Sequence, residues 1–330
     1  MSVLTETAAA LVGGGKGILA ADESVGTMSS RLEKAGVAPT EENRRAYREL
    51  LVLTPGLAGG VSGVIFCDET LRQRLSDDRP FPEAVQSLGI LPGIKVDTGA
   101  RPLAGSPGDT VTEGLDGLFP RLEEYISLGA RFAKWRAVIA VDQSRPSAAA
   151  VRTNAHALAR YASACHQAGL VPVVEPEVLM TGSHSMARCR EVTAYVLHAV
   201  ADELRSFGVD FAATVLKPNM VLPGASSGEH ASPDAVARAT VEVLIEQMPA
   251  ELAGVAFLSG GQSPREATAN LAAMQSLPSP WPLTFSFGRA LVEPALAAWR
   301  GEADLVEAGQ QALFERTAAN AGVLTGAAVG

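Results

Sequence analysis

A single (β/α)8 barrel is the fold this sequence predicts, and three observations predict it. Short β-like runs alternate with longer helical patterns through eight cycles, and polar side chains fall at the ends of most of those runs. With 330 residues, 47% of them hydrophobic, there is also enough material for one large core. An open doubly wound sheet would satisfy the alternation as well, but eight units of this length suit closure. No repeat of fixed period and no low-complexity tract interrupts the chain, so residues 1–330 are expected to form one domain.

The runs follow in order. Residues 17–22 end on Asp22, followed by Glu23 and Ser24, and residues 61–67 are almost wholly apolar. Residues 93–97 carry Lys95 and Asp97, after which the Gly/Pro-rich segment 99–108 is expected to be an excursion loop. Residues 131–138 carry Lys134 and Arg136, and 170–175 close on Glu175 with Glu177 two positions on. Residues 211–217 read as a buried strand ending on Lys217, bounded by Asp210 before and Pro218 after. Residues 254–259 end on Ser259, and 283–287 are followed by Gly288 and Arg289. Between the runs, residues 41–53, 148–168, 188–207 and 232–247 repeat apolar side chains at three and four, as amphipathic helices do. The Ala- and Gly-rich tail from Thr317 is expected to be mobile.

Composition narrows the function classes. Aromatic residues make up only 5%, so Ala, Val and Leu must fill the core. A net charge of −9 repels nucleic acid and anionic membranes, and an anionic substrate would need a local basic cluster. Cys67, Cys165 and Cys189 have neither the even count of a disulfide framework nor zinc-ligand spacing. His156, His166, His184, His198 and His230 form no ligand pattern, so no metal site is expected. The start lacks the basic region of a secretory leader, and no stretch reaches the ~18 apolar residues of a membrane span. These features point to a soluble cytoplasmic protein.

Chemistry concentrates at the strand ends. Residues two apart in a strand share a face, so Lys95/Asp97, Lys134/Arg136 and Glu175/Glu177 are same-side pairs, with Val96, Trp135 and Pro176 pointing away. In barrels the C-terminal rim holds the chemistry. A lysine closing an apolar strand must pair with a carboxylate or lose its proton; lowering its pKa from about 10.4 to about 7.5 takes roughly 4 kcal/mol, within reach of burial plus a neighbouring cation such as Lys134. A neutral Lys217 amine would add to a ketone or aldehyde and give an iminium. Glu175 and Glu177 are expected to repel, raising one pKa to leave a general acid beside a general base, while Asp22 could take a hydroxyl proton as a carbon–carbon bond breaks. After the last two strands, Ser259-Gly260-Gly261 and Gly288-Arg289 stand where barrels bind phosphate, and Ser24, Thr27 and Lys95 could hold a second anion.

The stretches 17–24 (GILAADES), 41–45 (EENRR), 93–97 (GIKVD), 132–136 (FAKWR), 174–177 (VEPE), 216–220 (LKPNM), 258–262 (LSGGQ) and 283–289 (LTFSFGR) together resemble class I, Schiff-base-forming fructose-bisphosphate aldolases over nearly the full length. The resemblance implies a metal-independent barrel without cofactor, acting on phosphorylated ketoses and trioses, commonly as a homotetramer in glycolysis and gluconeogenesis. It implies that Lys217 forms the Schiff base, that Glu175 shuttles protons, that Glu177 with Lys134 organises the site and that Asp22 handles the C4 hydroxyl. Ser259, Gly260, Gly288 and Arg289 would hold the C1 phosphate, Ser24, Thr27, Lys95 and Arg136 would line the region toward the C6 phosphate, and Gly261 and Ser286 are further expected substrate- or phosphate-binding residues.

The chain also departs from the pattern. The last tyrosine is Tyr195, whereas animal members end in one; Thr98 and Ser30 stand where basic residues are common, and Phe287 replaces an aromatic hydroxyl. Fewer rim cations leave open a preference for fructose 1-phosphate. A different Schiff-base phosphoketose aldolase, or a non-catalytic sugar-phosphate-binding barrel, would carry many of the same residues. Residues 258–262 also match a signature of transporter-type ATPases, and residues 13–17 superficially resemble a phosphate loop, but the latter lacks the Gly-x-x-x-x-Gly-Lys-Ser/Thr spacing and precedes a strand.

Overall fold

A computed structural model describes residues 2–326. Among the described residues ten strands form: β1 Gly17–Ala21, β2 Val61–Phe66, β3 Leu91–Lys95, β4 Gly99–Pro102, β5 Thr110–Glu113, β6 Phe132–Ile139, β7 Val171–Val178, β8 Val215–Leu216, β9 Gly254–Phe257 and β10 Leu283–Phe287. Eight of them close into a barrel in the order β1-β10-β9-β8-β7-β6-β3-β2, and every barrel pair is parallel. This is the expected (β/α)8 architecture. The expected excursion loop is instead the antiparallel hairpin β4–β5, with Arg101 opposite Val111, standing over the rim after β3. Its second strand, β5, docks on the barrel because Thr110 and Thr112 donate hydroxyl hydrogen bonds to the backbone oxygens of Val138 and Arg136.

The strands read as alternating faces. Ile18 and Ala20 of β1, Phe132 of β6, and Val171 and Val173 of β7 pack together in the barrel interior; Leu19, Ala21, Ala133, Trp135 and Val174 join the larger core between sheet and helices. Continuing the inward columns in steps of two residues reaches Asp22, then Lys134 and Arg136, then Glu175 and Glu177, so the period-2 pattern itself delivers these charges to one end. The other end is filled by a ring packed on glycines. A Cβ at Gly93 would collide with the Phe132 ring, and one at Gly63 would lie 3.1 Å from it. The N-terminal helix Val3–Val12 closes this floor with Ala8, Leu11 and Val12, tied down by the Ser62 hydroxyl donating to the Leu11 carbonyl at 2.6 Å.

Two sequence readings are corrected in detail. The run expected as a strand over 211–217 begins with a 3-10 turn, Phe211–Ala213, and only Val215–Leu216 pairs in the sheet. The Asp210 side chain accepts from the Ala212 N–H at 2.9 Å, and the Thr214 hydroxyl donates to the Asp210 carbonyl; these local bonds compete with strand pairing in a way an apolar run does not disclose. The tail expected to be mobile from Thr317 is helical through Thr325, as part of Val306–Thr325, and buries Thr317 and Asn320 completely; residues 327–330 lie outside those described. Asn320 accepts from the Thr268 hydroxyl at 3.0 Å, which anchors this helix to Pro264–Gln275.

The expected helices appear as Glu41–Val52, Ala148–Ala168, Met186–Ser206 and Pro233–Gln247. Thr40, Ser147, Ser185 and Ser232 cap their first turns through side-chain oxygens, satisfying amides with no intrahelical partner. No helix among the described residues is long and apolar enough to cross a membrane.

Candidate active site

At the C-terminal mouth of the barrel lies a cavity of about 600 Å³, the size of a small-molecule site. Charged groups from the ends of several strands converge on it around the ring. Lys134 is the hub: its Nζ is 2.7 Å from Asp22 Oδ2 and 2.8 Å from Glu175 Oε2, and it is almost wholly buried. Glu175 Oε1 in turn lies 3.2 Å from Lys217 Nζ, so the carboxylate bridges two amines. Lys217 follows β8 directly, and its backbone N–H donates to the Val174 carbonyl at 2.8 Å, extending the sheet by one bond. Asn219 fixes the turn beyond: its side-chain oxygen accepts from Val178 N–H at 3.0 Å while its amide donates to Thr193 Oγ1 and the Met220 carbonyl.

Burial and pairing pull these groups in opposite directions, and pairing prevails. Burial alone would raise the Asp22 carboxyl, but the Lys134 and Lys217 ammonium groups outweigh it and hold the acid far below the usual carboxylate range. Glu175 behaves likewise, lowered by Lys134, Lys217 and Arg136 against the cost of burial. Burial disfavours the Lys134 charge, but Asp22 and Glu175 more than compensate and raise its pKa well above that of a free lysine. The expected repulsion between Glu175 and Glu177 does not govern the site. Glu177 bonds to Arg136 Nε, which separates the two carboxylates into different ion pairs, and Glu175 titrates low rather than high.

The predicted residues Asp22, Ser24, Thr27, Lys95, Lys134, Arg136, Glu175, Glu177, Lys217, Ser259, Gly260, Ser286, Gly288 and Arg289 all line this one cavity. Gly261 does not line it; its backbone takes a positive φ of 88°, which favours glycine, and it lies beside Arg289, whose Nη2 a Cβ there would meet at an ordinary contact distance of 3.5 Å. Ser286 Oγ is buried with no hydrogen-bond partner among the described residues, an unspent donor and acceptor at the cavity wall. Ser24 caps the helix Val25–Lys34 and exchanges a hydroxyl hydrogen bond with Thr27 at 3.0 Å. Lys95 pairs with Asp97 at 2.8 Å.

Sequence reasoning missed a second tier of charge. Arg31 lines the cavity and bonds Glu23, which is also held by the buried Arg48 at 2.8 Å. Thr27 and Arg31 are four apart on one helix, so helical spacing from Thr27 could have found Arg31. Nothing local marks Arg48, whose burial depends on the packing of Glu41–Val52. Among the departures noted in the sequence, Thr98 lines the cavity, Phe287 is buried in the sheet, and Tyr195 is half-exposed on Met186–Ser206 and outside the cavity lining.

Comparisons with known proteins point to one family. Residues 3–330 match the family described as "Glycolytic: Fructose-bisphosphate aldolase class-I". A probable fructose-bisphosphate aldolase class 1 from Xylella fastidiosa is 51% identical over 320 residues, covering 96% of each chain. Fructose-bisphosphate aldolase B of Gallus gallus is 49% identical over 320 residues, covering 96% of this chain and 88% of that one. The cytosolic fructose-bisphosphate aldolase 6 of Arabidopsis thaliana is 50% identical over 315 residues, 95% and 88% of the two chains. Among solved structures, Plasmodium falciparum fructose-bisphosphate aldolase, crystallised with TRAP and a small-molecule inhibitor, superposes with a TM-score of 0.97 at 42% identity over 99% of this chain and 95% of that one.

Proposed function

The chain belongs to the class I fructose-bisphosphate aldolase family, and from that premise we propose that it cleaves fructose 1,6-bisphosphate reversibly to dihydroxyacetone phosphate and glyceraldehyde 3-phosphate through a Schiff base on Lys217. The observation that carries this reading is a buried Lys217 amine facing a 600 Å³ cavity, 3.2 Å from a carboxylate that a second lysine also holds.

The chemistry follows from that contact. Glu175, kept ionised by its two amines, takes a proton from Lys217, freeing the nitrogen lone pair to attack the C2 carbonyl. Returned to the carbinolamine hydroxyl, the same proton lets water leave and the iminium form. Asp22, held as a carboxylate by Lys134, accepts the C4 hydroxyl proton as the C3–C4 bond breaks; the bonding electrons pass to the iminium and give an enamine plus the free aldehyde. Protonation of the enamine at C3 and hydrolysis return Lys217 and release the triose ketone. Arg136 keeps Glu177 out of this exchange while lining the approach.

Ser259, Gly260 and Gly288, with the unpartnered Ser286 hydroxyl and Arg289, take the C1 phosphate; Ser24, Thr27, Lys95 and Arg136 face the other end. The cytoplasmic location is supported by the cytosolic relative, the place in glycolysis by the description of the matching family, and the place in gluconeogenesis and the homotetramer by family resemblance. Incubation with dihydroxyacetone phosphate and borohydride, followed by intact mass, tests the central step. The wild type should gain one reduced triose-phosphate adduct and Lys217→Ala none, with turnover lost by about 10⁴-fold or more. An adduct of equal yield on the Lys217→Ala protein would overturn the assignment.

A further inference from the structure

Charge around the cavity is unevenly committed. Every carboxylate that lines it already faces a cation: Asp22 and Glu175 meet Lys134, Glu175 also meets Lys217, Asp97 meets Lys95, Glu177 meets Arg136 and Glu23 meets Arg31. Two lining cations remain outside these pairs, Arg289 and Arg101. Arg289 forms no ion pair among the described residues. Arg101 has only Glu113, on the facing strand of its own hairpin, at 3.9 Å with both side chains more than half exposed. An exposed pair at that separation contributes little, so the Arg101 guanidinium is available to a ligand.

Their positions in the barrel are complementary. Arg289 follows β10 and sits beside the Ser259–Gly261 turn that follows β9. The hairpin carrying Arg101 follows β3, which lies four strands from β9 in either direction around the ring and is therefore directly across the mouth. Two uncommitted cations on opposed arcs suit a ligand that is anionic at both ends. The charges nearer the second end, Lys95 and Arg31, are held by Asp97 and Glu23, and a phosphate there must compete with those carboxylates; at Arg101 it meets almost no competition.

We propose that Arg101 is a specificity-determining residue that binds the second phosphate of a bisphosphorylated ketose from the hairpin β4–β5. This rests on the reading of the site as an aldolase centre and extends it to the choice between bisphosphate and monophosphate substrates. Because the side chain is exposed and makes no buried contact, its removal leaves the barrel undisturbed.

The test is steady-state cleavage of fructose 1,6-bisphosphate and fructose 1-phosphate by wild type, Arg101→Gln and Arg101→Lys. Neutralising Arg101 should raise KM for the bisphosphate about tenfold with kcat unchanged, and leave both constants for the monophosphate unaltered. Lysine, keeping the charge but not the fork, should recover part of the loss. Equal changes for both substrates would mean a general attraction of anions, and no change for either would mean an idle surface arginine; each result overturns the proposal while leaving the aldolase reading intact. A wild type that cleaves neither substrate would instead remove the reading on which the proposal stands.

Discussion

Replacing Lys134 by Met keeps the volume of the side chain and removes the hub of the charge cluster. At an effective dielectric constant of about 20, each contact of Lys134 Nζ, at 2.7 Å to Asp22 and 2.8 Å to Glu175, is a gross attraction of about 6 kcal/mol, most of it offset by stripping water from the buried ions. What survives is the penalty of leaving carboxylates unpaired. Glu175 retains Lys217 at 3.2 Å, but Asp22 loses its only ion pair among the described residues, so a net loss of about 3–5 kcal/mol is expected. With an unfolding entropy of about 2.1 cal/mol/K per residue over 330 residues, that corresponds to a fall in melting temperature of roughly 4–7 °C at neutral pH.

The pH dependence gives the sharper test. In the wild type Asp22 and Glu175 have depressed folded pKa values, so their contribution is fully present above the unfolded values near about 4 and is lost as pH falls through the folded ones. Lys134, whose folded pKa is raised, contributes below about 10.4 and loses that contribution as pH rises beyond it. The stability gap between wild type and Lys134→Met should therefore be widest between about pH 5 and pH 9 and narrow on either side. Calorimetry or fluorescence-monitored melting across that range reads the gap directly. A variant that melts within about 1 °C of wild type throughout would refute the picture of Lys134 as the group that holds both acids ionised.

Asn219→Ala removes the acceptor for a buried Val178 N–H and the tie between the Lys217 turn and Thr193, and should cost about 1–3 kcal/mol in denaturant unfolding. Because it acts by positioning Lys217, kcat should drop about tenfold with KM nearly constant, a split that simple destabilisation would not produce. Gly93→Ala forces a methyl against the Phe132 ring in the barrel floor and should destabilise by about 1–3 kcal/mol; adding Phe132→Leu should recover part of this, whereas additive losses would argue against the clash.

Much of the site was legible in the sequence because a parallel barrel converts strand parity into location. Lys134 and Arg136, or Glu175 and Glu177, share a face in any strand, and closure of the sheet carries every such face to one interior. Lys217 was recognisable as a charge at the end of an apolar run, although half of that run turned out to be a 3-10 turn stabilised by Asp210 and Thr214. The hairpin β4–β5 was hidden for a similar reason: Gly and Pro signal a turn but not the strands on either side of it.

By itself, then, the order of residues determined the barrel, the rim on which its charged side chains gather, and the family. Only the tertiary structure decided which charge meets which. Glu177 is drawn to Arg136 instead of opposing Glu175, Glu23 is shared by Arg31 and the distant Arg48, and Arg101 is left with only a weak partner in its own hairpin. The physical reason is that strand periodicity is a local property fixed by backbone geometry, whereas ionisation and pairing depend on distances of a few ångströms between groups brought together from across the chain.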